Sequence, residues 1–425
     1  QIIIANCYRY GKWIEKDERK AFIYYQKSAD MGDARGTNSV GYCYQNGIGI
    51  EKDEYKSFIY YQKSAEMGYA GGIYNLGRCF HLGMGVTKDK HRAFIYYQKS
   101  AEMGNVRGTY NVGHYYFNGI GVEKDEHKAF IYYQKSADMG HASGTYNVGY
   151  CYRNGTGVKK DEQKAFIYYQ KSSEMGDAIG TYMVAYCYLN GIGVVKDVRQ
   201  AFINYQKSEE MGYAKGTYKV GYCYLYGIGI EKDMQKAFIY YKKSAVMGYV
   251  DGMLKVAECY LYGIGVEEDE YNAYIYYQKA VEMGDAWGTN SVGYCYQNGI
   301  GVEKDSHKAF FYYQKAAEMG YIDGMSNVGN YYLYGIGIEK DEHKAFIYYQ
   351  RSAEMGNADG TYMVGYCYDE GIGVVNDEYK AFFYYQKSAE MGYARGMYMV
   401  GLCHQYGIGV KKDKHKAFIY YQKSA

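Results

Sequence analysis

The sequence predicts an all-α chain: an α/α solenoid, wound as a right-handed superhelix, of about twelve 36-residue helix-turn-helix repeats. Three observations carry that prediction. An aspartate returns every 36 residues, from Asp17 through Asp53 and Asp89 to Asp413, without a single insertion. Each period holds two stretches of helical periodicity separated by a glycine-rich turn. The chain carries 62 Tyr and no Pro, which suits helices in register with turns made by Gly. The period divides one solenoid, 1–425, into a partial unit 1–32, then 33–68, 69–104, 105–140, 141–176, 177–212, 213–248, 249–284, 285–320, 321–356 and 357–392, and a partial unit 393–425.

The first helix of each unit, helix A, is expected over about 34–45 in the second unit. Ala34, Thr37, Val40, Gly41 and Tyr44 fall on one face. The residue after the Val is Gly or Ala in every unit, and Gly36 has counterparts from Gly72 to Gly396. Glycine inside a helix costs about 1 kcal/mol against alanine, so its return in each repeat implies close backbone packing. The turn Gly47-Ile48-Gly49-Ile50 follows. Its glycines permit positive φ, and its last position is β-branched from Ile14 to Val410. A phosphate cradle is a poor alternative, because no third Gly follows and no strand precedes.

Helix B is expected to start after Asp53. Aspartate is a strong N-cap, and Glu54 suits the helix dipole. The aspartate series is therefore read as twelve caps rather than as catalytic carboxylates or metal ligands. Ser57, Tyr60, Tyr61, Ser64 and Ala65 form the inward stripe, with Phe58 on its flank. The second Tyr is present in all twelve units, Tyr25 to Tyr421. Gly68 ends the helix in a left-handed conformation. Two antiparallel helices cannot bury both faces alone, whereas stacked copies can.

Charge narrows the functional classes. Forty-nine basic and 47 acidic residues leave a net +2, with signs alternating as in Glu123-Lys124-Asp125-Glu126. No basic block points to nucleic acid. No apolar run approaches the roughly 20 residues of a membrane span, so direct membrane insertion is not expected. All ten Cys occupy one phase of the repeat, with Tyr115 and Tyr331 in the two units that lack it. Equivalent positions on stacked helices lie roughly 8–10 Å apart, beyond disulfide reach. With no CxxC or CxxH pair, zinc is not expected either. Unpaired thiols point to a cytoplasmic or other reducing compartment. The chain starts at Gln1 and stops before the Met-Gly of earlier units, so it reads as a fragment, and targeting signals could lie outside it.

The pattern A-x-G-x-x-x-V-G-x-C-Y-x-x-G-x-G-V-x-x-D-x-x-K-A-F-x-Y-Y-x-K-S-A-x-M-G resembles the Sel-one-like repeat (SLR) family, relatives of the tetratricopeptide repeats. The likeness covers the whole chain. The Tyr-Tyr-Gln-Lys-Ser-Ala version is similar to expanded arrays in fungi, some of which follow a protein-kinase-like domain. The resemblance implies an adaptor or assembly scaffold with helix A lining the concave surface. Some secreted relatives pair two Cys within a repeat. One Cys per repeat weakens that reading here. Asn204 in place of the helix-B aromatic and Trp13 in place of a turn Gly are further departures.

No catalytic residue, cofactor site or metal site stands out. Five His (His91, His127, His307, His343, His415) share one exposed phase, and His81, His114, His141 and His404 look scattered. The positions that vary between units while the core phases do not are 35, 38, 42 and 45 of helix A. They carry the Tyr pairs Tyr146/Tyr150, Tyr182/Tyr186 and Tyr218/Tyr222, and at the first position Arg107, Lys215, Asp251, Trp287 and Asp323. Tyr joins contact area to low entropy cost and a polar tip, which suits interfaces. The same Tyr could instead pack along the groove between helices. The expectation is a non-enzymatic scaffold that binds a protein or peptide on this surface. A targeting arm for a kinase-like domain outside the chain and a glycan-binding groove are the alternatives. Self-association through the two ends is a further partner expectation.

Overall fold

The computed structural model describes residues 1–424 and is helical throughout, with 24 α-helices and no strand among the described residues. The helices alternate in type. The A helices are α1 (Ile2–Tyr10), α3 (Ala34–Asn46), α5 (Ala70–Leu82), α7 (Val106–Asn118), α9 (Ala142–Asn154), α11 (Ala178–Asn190), α13 (Ala214–Tyr226), α15 (Val250–Tyr262), α17 (Ala286–Asn298), α19 (Ile322–Tyr334), α21 (Ala358–Glu370) and α23 (Ala394–Tyr406). The B helices are α2 (Glu18–Asp30), α4 (Glu54–Glu66), α6 (Lys90–Glu102), α8 (Glu126–Asp138), α10 (Glu162–Glu174), α12 (Val198–Glu210), α14 (Met234–Val246), α16 (Glu270–Glu282), α18 (Ser306–Glu318), α20 (Glu342–Glu354), α22 (Glu378–Glu390) and α24 (Lys414–Ser424). They form two compact units. The first comprises Gln1–Gly216 with Ile228–Ile230, and the second Thr217–Gly227 with Glu231–Ala425.

Each expected boundary has a local cause in the chain. All twelve aspartates of the 36-residue series accept a hydrogen bond from a backbone N–H in the first turn of helix B. Asp17 accepts from Lys20 at 2.8 Å and Asp305 from Lys308 at 2.9 Å. Helix A ends on a glycine in the left-handed region, as at Gly47 with φ 70°. The second turn glycine is needed twice over. Gly157 has φ +68°, and a Cβ there would lie 2.0 Å from the Glu126 carbonyl oxygen at the start of the preceding helix B. Trp13 occupies this phase at φ 68°, the one non-glycine residue at positive φ among those described, and its side chain is 80% exposed.

Within each unit an A helix packs on its own B helix and on the B helix before it. The second Tyr of helix B is the centrepiece. Tyr61, Tyr169, Tyr205, Tyr241, Tyr349 and Tyr385 are fully buried. A Cβ on Gly41 would sit 2.9 Å from the Tyr61 ring, so the small residue of helix A is the seat of that ring. Ser64 Oγ donates to the Ala34 carbonyl at 2.7 Å and locks the two helices of that repeat, as Ser388 does to Ala358 in the second unit. Nine of the ten cysteines are buried single thiols, with Cys7 half-buried. Burial pushes Cys43, Cys151, Cys295 and Cys367 up to about 12. They act as small apolar side chains.

Candidate partner-binding surface

The two helix types present different outer surfaces. On the B side, aromatic rings stack in a repeating pattern. Tyr44 lies flat on Tyr60 with centroids 5.6 Å apart, while Phe22 of the preceding repeat meets its edge at 5.6 Å. The Lys56 ammonium sits 5.4 Å above the Tyr44 ring and 3.5 Å from Asp53. The same arrangement recurs at Tyr152, Tyr168, Phe130 and Lys164. The exposed His series joins it. His91, His127 and His343 each contact a turn carbonyl of the next repeat, at 2.9 Å from the Gly121 oxygen in the first case. These groups fasten one repeat to the next; the rings vary little along the chain, while the His phase also carries Arg, Tyr and Gln.

The A side varies. Its first candidate position, phase 35, is exposed at Arg107, Asp251 and Asp323. Lys215 places its ammonium 5.4 Å from the Tyr182 ring centroid. Asp251 accepts from the Tyr249 hydroxyl at 2.5 Å, and Asp323 from Asn357 at 3.2 Å. Trp287 is half-buried with the Lys255 ammonium 5.9 Å from its ring, and Lys255 also pairs with Glu258 at 2.6 Å.

The Tyr pairs divide by position. The phase-38 rings lean on the fully buried Tyr of their own helix B: Tyr146 on Tyr169 at 5.8 Å and Tyr218 on Tyr241 at 5.4 Å. Tyr182 is only 6% exposed and sits between Tyr205 and Tyr213, both at 5.4 Å. The phase-42 rings Tyr150, Tyr186 and Tyr222 are half-buried, as are Tyr146 and Tyr218, so Tyr182 is the buried one of the six. Phe117 meets the edge of Tyr150 at 5.8 Å. The Arg153 guanidinium covers Tyr186 at 4.5 Å, as Arg9 covers Tyr42 at 4.5 Å. Lys219 lies 4.8 Å from Tyr222.

These contacts reveal a seam that the 36-residue period hides. Residue 45 of one A helix meets residue 42 of the next, a separation of 33: Arg9 to Tyr42, Phe117 to Tyr150, Arg153 to Tyr186. His81 and His114 are also 33 apart, and the seam brings them to one cavity of about 280 Å³ in the first unit. Two histidines that look scattered in sequence are thus neighbours. The signal was available as the spacing of 33, which has no meaning until the stagger of adjacent A helices is known. His141 joins the same stretch by capping α9, with its ring 4.6 Å from Tyr110.

His81 Nδ1 contacts the Tyr115 hydroxyl and lies 3.2 Å from Lys90 Nζ. The same ammonium lies 3.5 Å from Nε2, and it can only donate. Burial, then the positive charges of Lys90, Lys88, His114 and Arg78, hold this imidazole below its ordinary range. His114 is lowered by burial and by Lys90. Arg78 lines the same cavity, half-buried, and forms no ion pair among the described residues. The described residues contain no group of three or more His, Cys, Asp or Glu placed to hold a metal ion, and no helix long and apolar enough to cross a membrane.

Stacked antiparallel helix pairs around a repeating core phase define a helical repeat solenoid. The Sel1 repeat family model matches twelve times, at residues 1–33, 34–69, 70–105, 106–141, 142–177, 178–213, 214–249, 250–285, 289–321, 322–357, 358–393 and 394–425, and the chain belongs to that family. Among solved structures it is similar to a protective antigen of uropathogenic Escherichia coli that displays an SLR fold. That likeness has 29% identity and a TM-score of 0.63, covering 100% of this chain and 90% of the antigen. It is also similar to a Sel1 repeat protein from Oxalobacter formigenes, at 26% identity and a TM-score of 0.55 over 70% of this chain and 87% of that one. No curated protein matches in sequence. Sel1 repeat proteins are generally protein-interaction scaffolds, and the family is typically non-catalytic.

Proposed function

We propose that this chain is a non-enzymatic scaffold that binds a protein or an extended peptide along its A-helix side. The observation that carries this reading is the contrast between two sets of positions in the same repeats. Tyr61 and its counterparts are constant, whereas phase 42 changes from Tyr to Arg, His, Glu, Asn or Leu and phase 45 runs through Arg, Gln, His, Phe, Leu and Asp, most of them half-buried. Packing explains the constant set. It does not require the changes in the other, which suit recognition of a partner lying across several repeats. The seam rings Tyr150, Tyr186 and Tyr222 are the aromatic contacts, because each keeps part of its ring open to solvent.

Capture from native lysate tests this. The array is compared with a Tyr150→Ser, Tyr186→Ser, Tyr222→Ser variant of equal helicity by circular dichroism. A protein held by the first and lost by the second is the expected result. A partner retained equally by both would remove binding from the seam.

A further inference from the structure

A net charge of +2 conceals an uneven distribution of charge along the A helices. The six A helices of the first unit, α1 to α11, carry Arg9, Arg35, Arg78, Arg107 and Arg153 and neither Asp nor Glu. In the second unit the A helices carry Asp251, Glu258, Asp323, Asp359, Asp369 and Glu370, all on α15 to α21, against Lys219, Lys255 and Arg395. The B helices do not show this division, because each starts from its own Asp cap and carries Lys or Arg.

Within the basic stretch one place is built as a receptor. Arg78 and His114 occupy the seam phase that holds Tyr in Tyr42, Tyr150, Tyr186 and Tyr222, so two adjacent repeats replace the ring by a cationic or proton-binding group. With His81 they face one cavity whose walls include Tyr74, Tyr97 and Tyr110. Lys90 adds its ammonium at 3.2 Å from His81. An unpaired guanidinium that is half-buried has lost part of its hydration without gaining a counter-charge, which favours an anion brought by a ligand. A second recess of about 340 Å³ shares Tyr110 and His114 and continues to Phe117, Tyr146 and Tyr150. Its walls are the rings of Tyr110, Phe117, Tyr133, Tyr146 and Tyr150 together with the amides of Asn118 and Asn147.

We infer that Arg78, His81 and His114 anchor a carboxylate side chain of an extended acidic peptide, whose neighbouring apolar side chain enters the aromatic recess beyond Tyr110. The inference rests on the A-helix side being the interaction surface. The two joined recesses suit a chain segment better than a lone anion, since one holds the Arg78 guanidinium and the other sets five rings beside two amides. Nucleic acid fits less well, because five arginines spread over six helices leave most of the surface without a phosphate contact.

Fluorescence anisotropy with a short labelled peptide of alternating Glu and Phe tests the site in the full chain. Binding to wild type should weaken with salt, and should fall at least about tenfold when Arg78→Gln and His114→Gln are combined. Lys344→Gln, on a B helix of the second unit, should leave it unchanged. Circular dichroism confirms the fold of each variant. Equal affinity in wild type and the double variant, or equal binding of the Gln-Phe analogue, overturns the inference. So does tighter binding of a thymidine oligonucleotide. Dimerisation at low salt that Arg78→Gln abolishes would assign the site to the carboxylates of a second copy, and also overturns it. Failure of the acidic peptide while the lysate partner is still captured through Tyr150, Tyr186 and Tyr222 would sink this inference alone and leave the scaffold standing.

Discussion

The Arg153 guanidinium lies 4.5 Å above the Tyr186 ring although the two residues belong to different repeats and different helices. Four residues earlier on the same helix, Tyr182 is sealed between Tyr205 and Tyr213. One helical turn therefore separates a ring that holds the fold from a ring that faces outward. The two tyrosines should respond differently to the same change. Tyr182→Ser should cost about 3 kcal/mol or more, since it removes a buried aromatic from a packed site. Tyr186→Ser should cost about 1 kcal/mol or less, the worth of a partly exposed cation–π contact. Urea denaturation of both variants checks this, and equal losses would show that the seam ring is also core.

The turn glycines offer a pair of opposite outcomes. Gly157→Ala sets a Cβ against the Glu126 carbonyl at positive φ and should destabilise the array by about 1–3 kcal/mol. Trp13→Gly relieves the one non-glycine positive φ and uncovers no packed surface, because the indole is exposed. It should stabilise by up to about 1 kcal/mol. Thermal unfolding would show the melting temperature falling in the first variant and rising in the second.

The cap aspartates make stability depend on acid. Hydrogen bonds from the first-turn N–H groups hold Asp17, Asp125, Asp305 and Asp413 below the usual 3.8. A folded pKa below the unfolded one means stability present above the unfolded value and lost as pH falls through the folded value. The chain should keep its stability from neutral pH down to about 5 and lose it progressively below about 4. Asp305→Asn keeps the cap but cannot titrate, so its acid loss should be smaller. A denaturation series against pH that shows the same acid slope for both proteins would remove the caps as its cause.

Thiol chemistry reads the packing directly. Nine cysteines are buried, most with the thiol raised to about 12, while Cys7 is half-buried. A disulfide reagent at pH 8 should label Cys7 first and the remainder only as the array unfolds. Rapid labelling of several thiols in the native protein would mean that repeats open locally. The same buried position explains why one cysteine per repeat needs no partner.

Helix order, turn positions and the core were legible in the sequence because each depends on short-range chemistry that repeats. Asp53 caps the N–H groups three residues away, Gly47 and Gly49 take positive φ, and Val40, Gly41 and Tyr61 return at helical spacing. The candidate surface was legible only in part. Variation at phases 35, 38, 42 and 45 marked the A helix, but it could not separate Tyr182 from Tyr186. Both phases are aromatic, and it is the Tyr213 ring of the next repeat that covers Tyr182.

What the sequence determined by itself, then, is the unit: twelve helical hairpins, their caps, their turns and their buried tyrosines. The tertiary structure decided which units' side chains meet. Adjacent A helices pack with a stagger, so contacts across the seam link residues 33 apart rather than 36. That offset is a relation between neighbouring repeats, and no single repeat contains it. It is what brings His81 to His114 beside Arg78 and turns scattered departures from the repeat into one cavity.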